Sequence, residues 1–170
     1  ARRHAIIRKL PAVETLGGTT AICSDKTGTL TMGEMTVREL VVASGRLEVA
    51  GAGYRPEGEG AGGENSLDEA GALAESAALC NDATVHEEEN QWRPAGSPTE
   101  AALVSLAMKL GIDVAGRRQA EIRIAEEPFS SERKKMSVLT SGAGGAVLHL
   151  KGAPEMVLPH CTRLRTAAGE

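Results

Sequence analysis

Residues 23–31 read CSDKTGTLT, a run with one acid, one lysine, three threonines and one glycine, and with little to bury. The run overlaps TTAIC, residues 19–23, whose β-branched and apolar side chains predict a short buried strand. Asp25 would then stand where this strand ends, among small hydrogen-bonding side chains. The pattern therefore presents a single carboxylate in an open, polar loop.

Asp25 has the chemistry of a nucleophile toward phosphorus. Aspartate is a carboxylate at neutral pH, and a carboxylate can attack a phosphorus centre to form a covalent intermediate. Threonine hydroxyls and the backbone amides of a glycine-containing turn can donate hydrogen bonds to a phosphate, and a Mg²⁺ ion would neutralise its charge. The other interpretation is an aspartate cap before a polar turn. The length of DKTGTLT, residues 25–31, favours the phosphate chemistry.

Composition limits the classes of protein that remain. A chain of 170 residues suggests one domain, or one domain and a piece of another. Aromatic residues make up only 2%, so the core is built from Ala, Val, Leu and Ile. The net charge of −4 argues against a nucleic-acid-binding protein, and no apolar run reaches the roughly 18 residues of a membrane span. The three cysteines are odd in number and far apart, which favours free thiols in a reducing compartment over disulfides or zinc.

Two helices are predicted. The first covers residues 66–80, where Ser66 and Glu69 have capping-box spacing and an apolar stripe follows. The second covers residues 98–110 and begins in GSPTE, with Ser97 as the cap, Pro98 at the first helical position and Glu100 closing the box. The stripes on these helices consist of Ala70, Leu73, Ala74, Ala77 and Cys80, and of Leu103, Leu106, Ala107 and Leu110.

Strands are predicted on either side of these helices. Two strands precede the helices: TVRELVVA (36–43) and RLEVA (46–50). Three strands follow them: EIRIAEEPF (121–129), KKMSVLTS (134–141) and GAVLHLKG (145–152). The last two are joined by GAGG, which predicts a hairpin. The Gly- and Glu-rich residues 51–65 predict a mobile loop, and residues 81–94 a polar connection. The expected fold is α+β: a mostly antiparallel sheet with a helix pair on one face.

Four motifs in order resemble P-type ATPases, the ion pumps that pass through an aspartyl-phosphate. DKTGTLT resembles their phosphorylation signature, and residues 5–31 resemble the segment that links a membrane helix to the phosphorylation domain. GSPTEAAL (96–103), PFSSERKKMSV (128–138) and KGAPE (151–155) resemble the three signatures of their nucleotide-binding domain. The resemblance is greatest to the calcium and sodium/potassium pumps and covers nearly the whole chain.

The resemblance assigns roles to residues that each have an ordinary structural explanation as well. It implies that Asp25, Lys26 and Thr27 are catalytic, and that Asp25 and the Thr27 carbonyl are ligands of Mg²⁺. It implies that the Glu100 carboxylate accepts a hydrogen bond from the adenine amino group of ATP, and that Phe129 stacks on the adenine ring. The remaining nucleotide-binding residues that it implies are Lys134, Lys151, Gly152 and Ala153. One departure is Ser131, which stands where many calcium pumps have a phosphate-binding arginine; Arg133 is the candidate substitute.

The resemblance also implies a domain organisation. Residues 1–33 correspond to a membrane-stalk linker and an incomplete piece of a haloacid-dehalogenase-like phosphorylation domain, and residues 34–170 to a C-terminally truncated nucleotide-binding domain. The partners would be ATP or ADP and the actuator, phosphorylation and membrane domains of a parent pump in the cell membrane, on its cytoplasmic side. We also expect homo-oligomers to form through cut sheet edges.

Two other functions compete with the pump. A haloacid-dehalogenase-type phosphatase usually has a second aspartate two residues after the nucleophile, as general acid and base, and here that position is Thr27. A non-catalytic nucleotide-binding module is the other alternative, because this segment would bind and release a nucleotide without turnover.

Overall fold

A computed structural model describes residues 10–26, 30–31, 33–166 and 168, and the chain divides into two units, Ala1–Gly33 and Glu34–Glu170. Thr27 lies outside the described residues. Among the residues that are described, no helix is both long and apolar enough to cross a membrane.

The first unit contains the short helix α1, Leu10–Gly17. The buried strand predicted for residues 19–23 is wrong, because these residues have no regular structure and are exposed, with Ile22 at 91%. A buried strand must pair its backbone groups with a neighbouring strand, and the described part of this unit offers no strand to pair with.

The second unit is α+β, as predicted, but its strands form three small antiparallel sheets and not a single one. The first sheet contains β1 (Glu39–Val42), β2 (Gly45–Val49) and β3 (Gly60–Ala61). The second is a hairpin of β4 (Thr84–Glu88) and β5 (Gln91–Ala95). The third contains β6 (Ile122–Glu127), β7 (Lys135–Gly142) and β8 (Gly145–Gly152), with β7 in the centre.

The described residues of the second unit form four α-helices: α2 (Glu64–Leu79), α3 (Pro98–Lys109), α4 (Val114–Ala120) and α5 (Pro154–Val157), followed by a 3₁₀ turn at Leu158–His160. Helices α2 and α3, the two that were predicted from the sequence, pack against each other. The core between these helices and the first sheet is built from small and branched aliphatic side chains, as the composition predicts: Leu40, Leu47, Val49, Ala70, Ala74, Ala78, Val104, Leu106, Ala107 and Val114. Alanines at the contact allow the helix axes to approach closely.

The capping box predicted for the first helix is wrong. The helix begins two residues earlier, at Glu64 with Gly63 as its N-cap, so Ser66 lies inside it. The buried Glu69 carboxylate instead accepts hydrogen bonds from the main-chain N–H of Ser44, at 2.8 Å, and from its hydroxyl, at 2.7 Å. Glu69 thus joins α2 to the β1–β2 turn, a tertiary contact that overrides the local signal.

The polar connection predicted for residues 81–94 is mostly a β-hairpin, β4–β5. Its turn residues, Glu89 and Asn90, have φ angles of 51° and 62°. Positive φ at both central residues is the signature of a type I′ turn, whose twist matches that of the strands. The Gly-rich residues 51–65 contain β3, and the buried ring of Tyr54 packs with Ala83 and Ala101. Helix α4 was not predicted; its N-cap, Asp113, accepts a hydrogen bond from Gly116 N–H.

Candidate functional site

A cleft of about 570 Å³ lies in the second unit, between the start of α3, the β6–β7 loop and the ends of β7 and β8. Four of the residues predicted from the sequence line it: Glu100, Phe129, Lys151 and Gly152. They come from three motifs, and the fold brings them to one place although Glu100 and Lys151 are 51 residues apart in the chain. Six residues that the prediction did not include complete the lining: Asp82, Ser97, Thr99, Leu103, Pro128 and Met136.

Glu100 and Lys151 form an ion pair within this cleft. Ser97 is the N-cap of α3 and Pro98 follows it, as predicted, but no side chain caps the helix, so the capping box is wrong here too. The carboxylate of Glu100 instead accepts a hydrogen bond from the ammonium of Lys151 on β8. The two side chains are only 18% and 20% exposed, so the pair is shielded from water. The pair also neutralises the charge of this wall.

Phe129 forms a wall of the cleft, in the loop that follows β6, and is 58% exposed. Phe129 therefore does not fill the core. Leu103 and Met136 add apolar surface nearby. An exposed aromatic face beside aliphatic side chains suits a flat ring that buries its faces and keeps its polar edge free.

Gly152 lies at the end of β8, where the chain passes close to Lys134. A Cβ atom at Gly152 would come within 2.5 Å of the Lys134 carbonyl oxygen, so only glycine fits here. That carbonyl also accepts a hydrogen bond from the Ala153 N–H, at 2.9 Å. Neither Lys134 nor Ala153 lines the cleft, and the exposed Lys134 ammonium lies 3.8 Å from the Glu155 carboxylate.

Arg133 braces the loop that carries Phe129. Its guanidinium donates to the Pro128 carbonyl, at 3.1 Å, and lies 2.9 Å from the Glu127 carboxylate. Both partners immediately precede Phe129 in sequence. Arg133 therefore holds the base of the loop, and Ser131 is exposed in it.

Asp82 is the charged lining residue that sequence reasoning missed. It belongs to the turn between α2 and β4, and its carboxylate accepts a hydrogen bond from Arg123 at 2.6 Å. Arg123 is 41 residues away in the chain, so no local spacing indicates the pair. Two carboxylates therefore line the cleft, and each is paired with a cation: Asp82 with Arg123, and Glu100 with Lys151.

Cys80 lies beneath the cleft and is completely buried with Met136 and Val138. Its thiol lies 3.5 Å from the Met136 carbonyl oxygen. Burial is the main cause that raises the pKa of this thiol, which keeps it protonated and unreactive at neutral pH.

In the first unit, Asp25 and Lys26 are exposed. The Lys26 carbonyl accepts hydrogen bonds from the N–H groups of Leu30 and Thr31, at 3.0 and 3.1 Å. Across the described part of the chain, no group of three His, Cys, Asp or Glu side chains could hold a metal ion. The Mg²⁺ site predicted at Asp25 and Thr27 stays a prediction, because Thr27 is outside the described residues.

The second unit thus combines antiparallel sheets and helices with a cleft lined by residues from three motifs. The family model for the P-type ATPase cytoplasmic domain N matches residues 69–170, and the chain belongs to this family. This confirms the resemblance that the four motifs indicated.

Relatives match nearly the whole chain. Over 100% of the chain it is 39% identical to a cation-transporting ATPase, pma1, of Synechocystis sp., and over 95% it is 43% identical to the calcium-transporting ATPase type 2C member 1 of Bos taurus. The identity is 38%, over 95% of the chain, to the probable cation-transporting ATPase F of Mycobacterium tuberculosis. The chain spans 20%, 17% and 18% of these three relatives, about a fifth of their length.

Proposed function

We propose that residues 34–170 form the nucleotide-binding domain of a P-type cation-transporting ATPase and bind ATP or ADP in the cleft. The observation that carries this proposal is the convergence of Glu100, Phe129, Lys151 and Gly152 on a single cleft. The adenine ring would lie on Phe129, with its amino group directed at the Glu100 carboxylate. Because Lys151 already neutralises Glu100, the base enters the cleft and the phosphates stay toward solvent.

We also propose that Asp25 is the phosphoacceptor of the parent pump, with Lys26 and Thr27 beside it, in a fragment of a haloacid-dehalogenase-like domain that covers residues 1–33. Its carboxylate would attack the γ-phosphorus of ATP, and ADP would leave. Mg²⁺ would neutralise the phosphate charge in this reaction. The described residues do not gather a set of ligands for that ion, so the chain on its own should bind Mg²⁺ weakly.

The relatives' names supply the biological setting of the proposal. They are cation- and calcium-transporting ATPases, so the parent is proposed to be an integral membrane protein that carries this segment on its cytoplasmic side. Its partners would be its own actuator, phosphorylation and membrane domains. The phosphatase alternative lacks the second aspartate, since Thr27 occupies that position.

Titration of the ¹⁵N-labelled chain with ATP, followed by amide chemical shifts, tests the proposal. We expect a Kd near 1 mM, equivalent to about 4 kcal/mol. Shifts should concentrate at residues 97–103, 128–130 and 150–153. Shifts confined to the first sheet or to the β4–β5 hairpin would place the nucleotide elsewhere and contradict the proposal. A non-catalytic module would give the same titration but no phosphorylation of Asp25 in the full-length protein.

A further inference from the structure

Asn81 lies in the turn between α2 and β4, next to the cleft-lining Asp82, and is 1% exposed. Its Nδ2 donates a hydrogen bond to the main-chain carbonyl of Glu100, at 2.9 Å. Its Oδ1 accepts one from the main-chain N–H of Ala83, at 2.8 Å. A buried amide with partners on both its nitrogen and its oxygen is held in one orientation.

The main chain of Asn81 is fixed as well. Its carbonyl accepts hydrogen bonds from Arg123, at 2.8 Å, and from Arg118, at 3.2 Å. The same two arginines donate to the carbonyls of Ala78 and Leu79, which lie in the last turn of α2 and have no partner within the helix. Asn81 is therefore anchored to the end of α2 by the guanidinium groups of Arg118 and Arg123.

Glu100 is consequently held from two sides. Asn81 binds its main-chain carbonyl, and Lys151 binds its carboxylate. No side chain caps the start of α3, so these contacts fix the turn of helix that presents Glu100 to the cleft. Asn81 does not line the cleft itself, so its route to a ligand through Glu100 is the hydrogen bond to the Glu100 main chain.

We propose that Asn81 is a positioning residue for adenine recognition, which sets the direction of the Glu100 carboxylate through the hydrogen bond to its main chain. This inference rests on the proposed binding of ATP in the cleft. A carboxylate only accepts hydrogen bonds, so it favours the 6-amino group of adenine and disfavours the 6-oxo group of hypoxanthine. The ratio of the affinities for ATP and ITP therefore reports whether Glu100 is correctly aimed.

The ratio of the ATP and ITP affinities distinguishes a variant that misplaces Glu100 from a variant that is merely less stable. A variant that merely unfolds part of the population lowers the apparent affinity for both nucleotides by the same factor, because unfolded molecules bind neither. A variant that misplaces Glu100 lowers the affinity for ATP more than that for ITP.

The experiment measures Kd for ATP and for ITP with the wild-type chain and with Asn81→Asp and Asn81→Ser. Asn81→Asp keeps the size and the acceptor of Asn81 but removes the donor to Glu100, and Asn81→Ser replaces the amide with a shorter side chain that has no Nδ2 and adds no charge. We expect the wild type to prefer ATP by about tenfold and both variants by less than about threefold. Asn90→Asp, the same change in the exposed β4–β5 turn, is the matched control and should keep the wild-type ratio.

A second comparison uses Glu100→Ala, which removes the group through which Asn81 is proposed to act. Adding Asn81→Ser to that background should leave the ATP/ITP ratio unchanged. If the wild type does not bind ATP, the proposed function itself fails. If the wild type prefers ATP and both Asn81 variants keep that preference, or if Asn81→Ser changes the ratio in the absence of the Glu100 carboxylate, the inference is overturned.

Discussion

Ser105 has a buried hydroxyl on α3 with no hydrogen-bond partner in the described part of the chain. An unsatisfied buried hydroxyl costs free energy, so Ser105→Ala should raise the free energy of unfolding by about 1 kcal/mol. For a chain of this size, that corresponds to roughly 2–4 °C in Tm, measurable by thermal denaturation. Ser76→Ala is the matched control and should lower Tm, because the Ser76 hydroxyl lies 2.9 Å from Nδ1 of His149 and bonds to it.

Phe129 should contribute to binding and not to stability, because its ring is more than half exposed. Phe129→Ala should weaken ATP binding by roughly threefold to tenfold, the range for an aromatic stacking contact of about 1 kcal/mol. Tm should stay within a degree or two of the wild type. Leu148→Ala removes another exposed apolar side chain outside the cleft and should change neither quantity. A fall in Tm with unchanged affinity for Phe129→Ala would contradict the stacking role.

His149 makes the stability of the chain depend on pH. It is buried between Ser76 on α2 and Thr140 on β7. Burial lowers the pKa of His149, although the carboxylates of Glu121 and Glu75 act in the opposite direction. The unfolded chain therefore binds this proton more readily than the folded one. The stability that neutral His149 contributes is fully present above the unfolded pKa of about 6.5, and it is lost as the pH falls from there through the lower folded pKa.

Thermal denaturation at pH 7.5 and pH 5.5 tests this dependence. Tm of the wild type should fall between these values by more than Tm of His149→Gln, which has no proton to gain. His86→Gln, in the exposed β4–β5 hairpin, is the control and should follow the wild type. Equal falls in Tm for the wild type and His149→Gln would show that other groups cause the pH dependence.

At the scale of elements, the β4–β5 turn is the clearest place to change stability. Glu89 and Asn90 both have positive φ, a conformation that costs roughly 1 kcal/mol for a residue with a Cβ and almost nothing for glycine. Asn90→Gly should therefore raise the free energy of unfolding by several tenths of a kcal/mol, measured by urea denaturation. Gly145→Asn, in the β7–β8 turn where φ is 100°, is the reverse change and should lower the free energy of unfolding. A loss of stability for Asn90→Gly would mean that the Asn90 side chain makes a contact that outweighs the backbone effect.

Strands β7 and β8, which have buried side chains, were predicted correctly, and so was β6, although all of its residues are exposed. In β7 and β8 the buried residues Met136, Val138 and His149 alternate with more exposed ones, and a glycine turn joins the two strands. The alternation and the turn both predict a hairpin. The β4–β5 hairpin was missed because only Val85 and Trp92 are even half-buried in it, so it shows no apolar alternation. The capping boxes failed for a different reason: Glu69 and Glu100 are each bound by a residue from a distant part of the chain.

At the scale of the whole molecule, the outer face of the third sheet presents apolar side chains to solvent. Ala125, Leu139 and Leu148 are neighbours across the three strands of this sheet. They lie on the face opposite the buried Met136 and Val138, and Leu148 is 64% exposed. Such a face favours association. We expect self-association at high concentration, measured by sedimentation, and Leu148→Lys should shift the chain toward monomer. Leu16→Lys, on exposed α1, is the control and should leave the association unchanged.

The residues of the candidate site that belong to a sequence motif could be predicted, whereas those that only the fold brings to the site could not. Glu100, Phe129, Lys151 and Gly152 belong to short runs that resemble a family, and they do line one cleft. Lys134 and Ala153 belong to the same runs, yet they lie outside the lining because the chain turns at Lys134. Asp82 and Asn81 stand in no such run, and their positions depend on arginines about 40 residues away.

Trp92 packs near Tyr54, so the fluorescence of the chain comes from a region that does not line the cleft. The sequence has one tryptophan, one tyrosine and one phenylalanine. Trp92 packs against the cluster of Tyr54, Ala83 and Ala101, whereas Phe129, which contributes almost nothing to ultraviolet emission, lines the cleft. Tyrosine-to-tryptophan energy transfer therefore reports the integrity of the hairpin and the Gly-rich segment. A variant with weakened nucleotide affinity and an unchanged fluorescence spectrum has lost recognition without losing its fold.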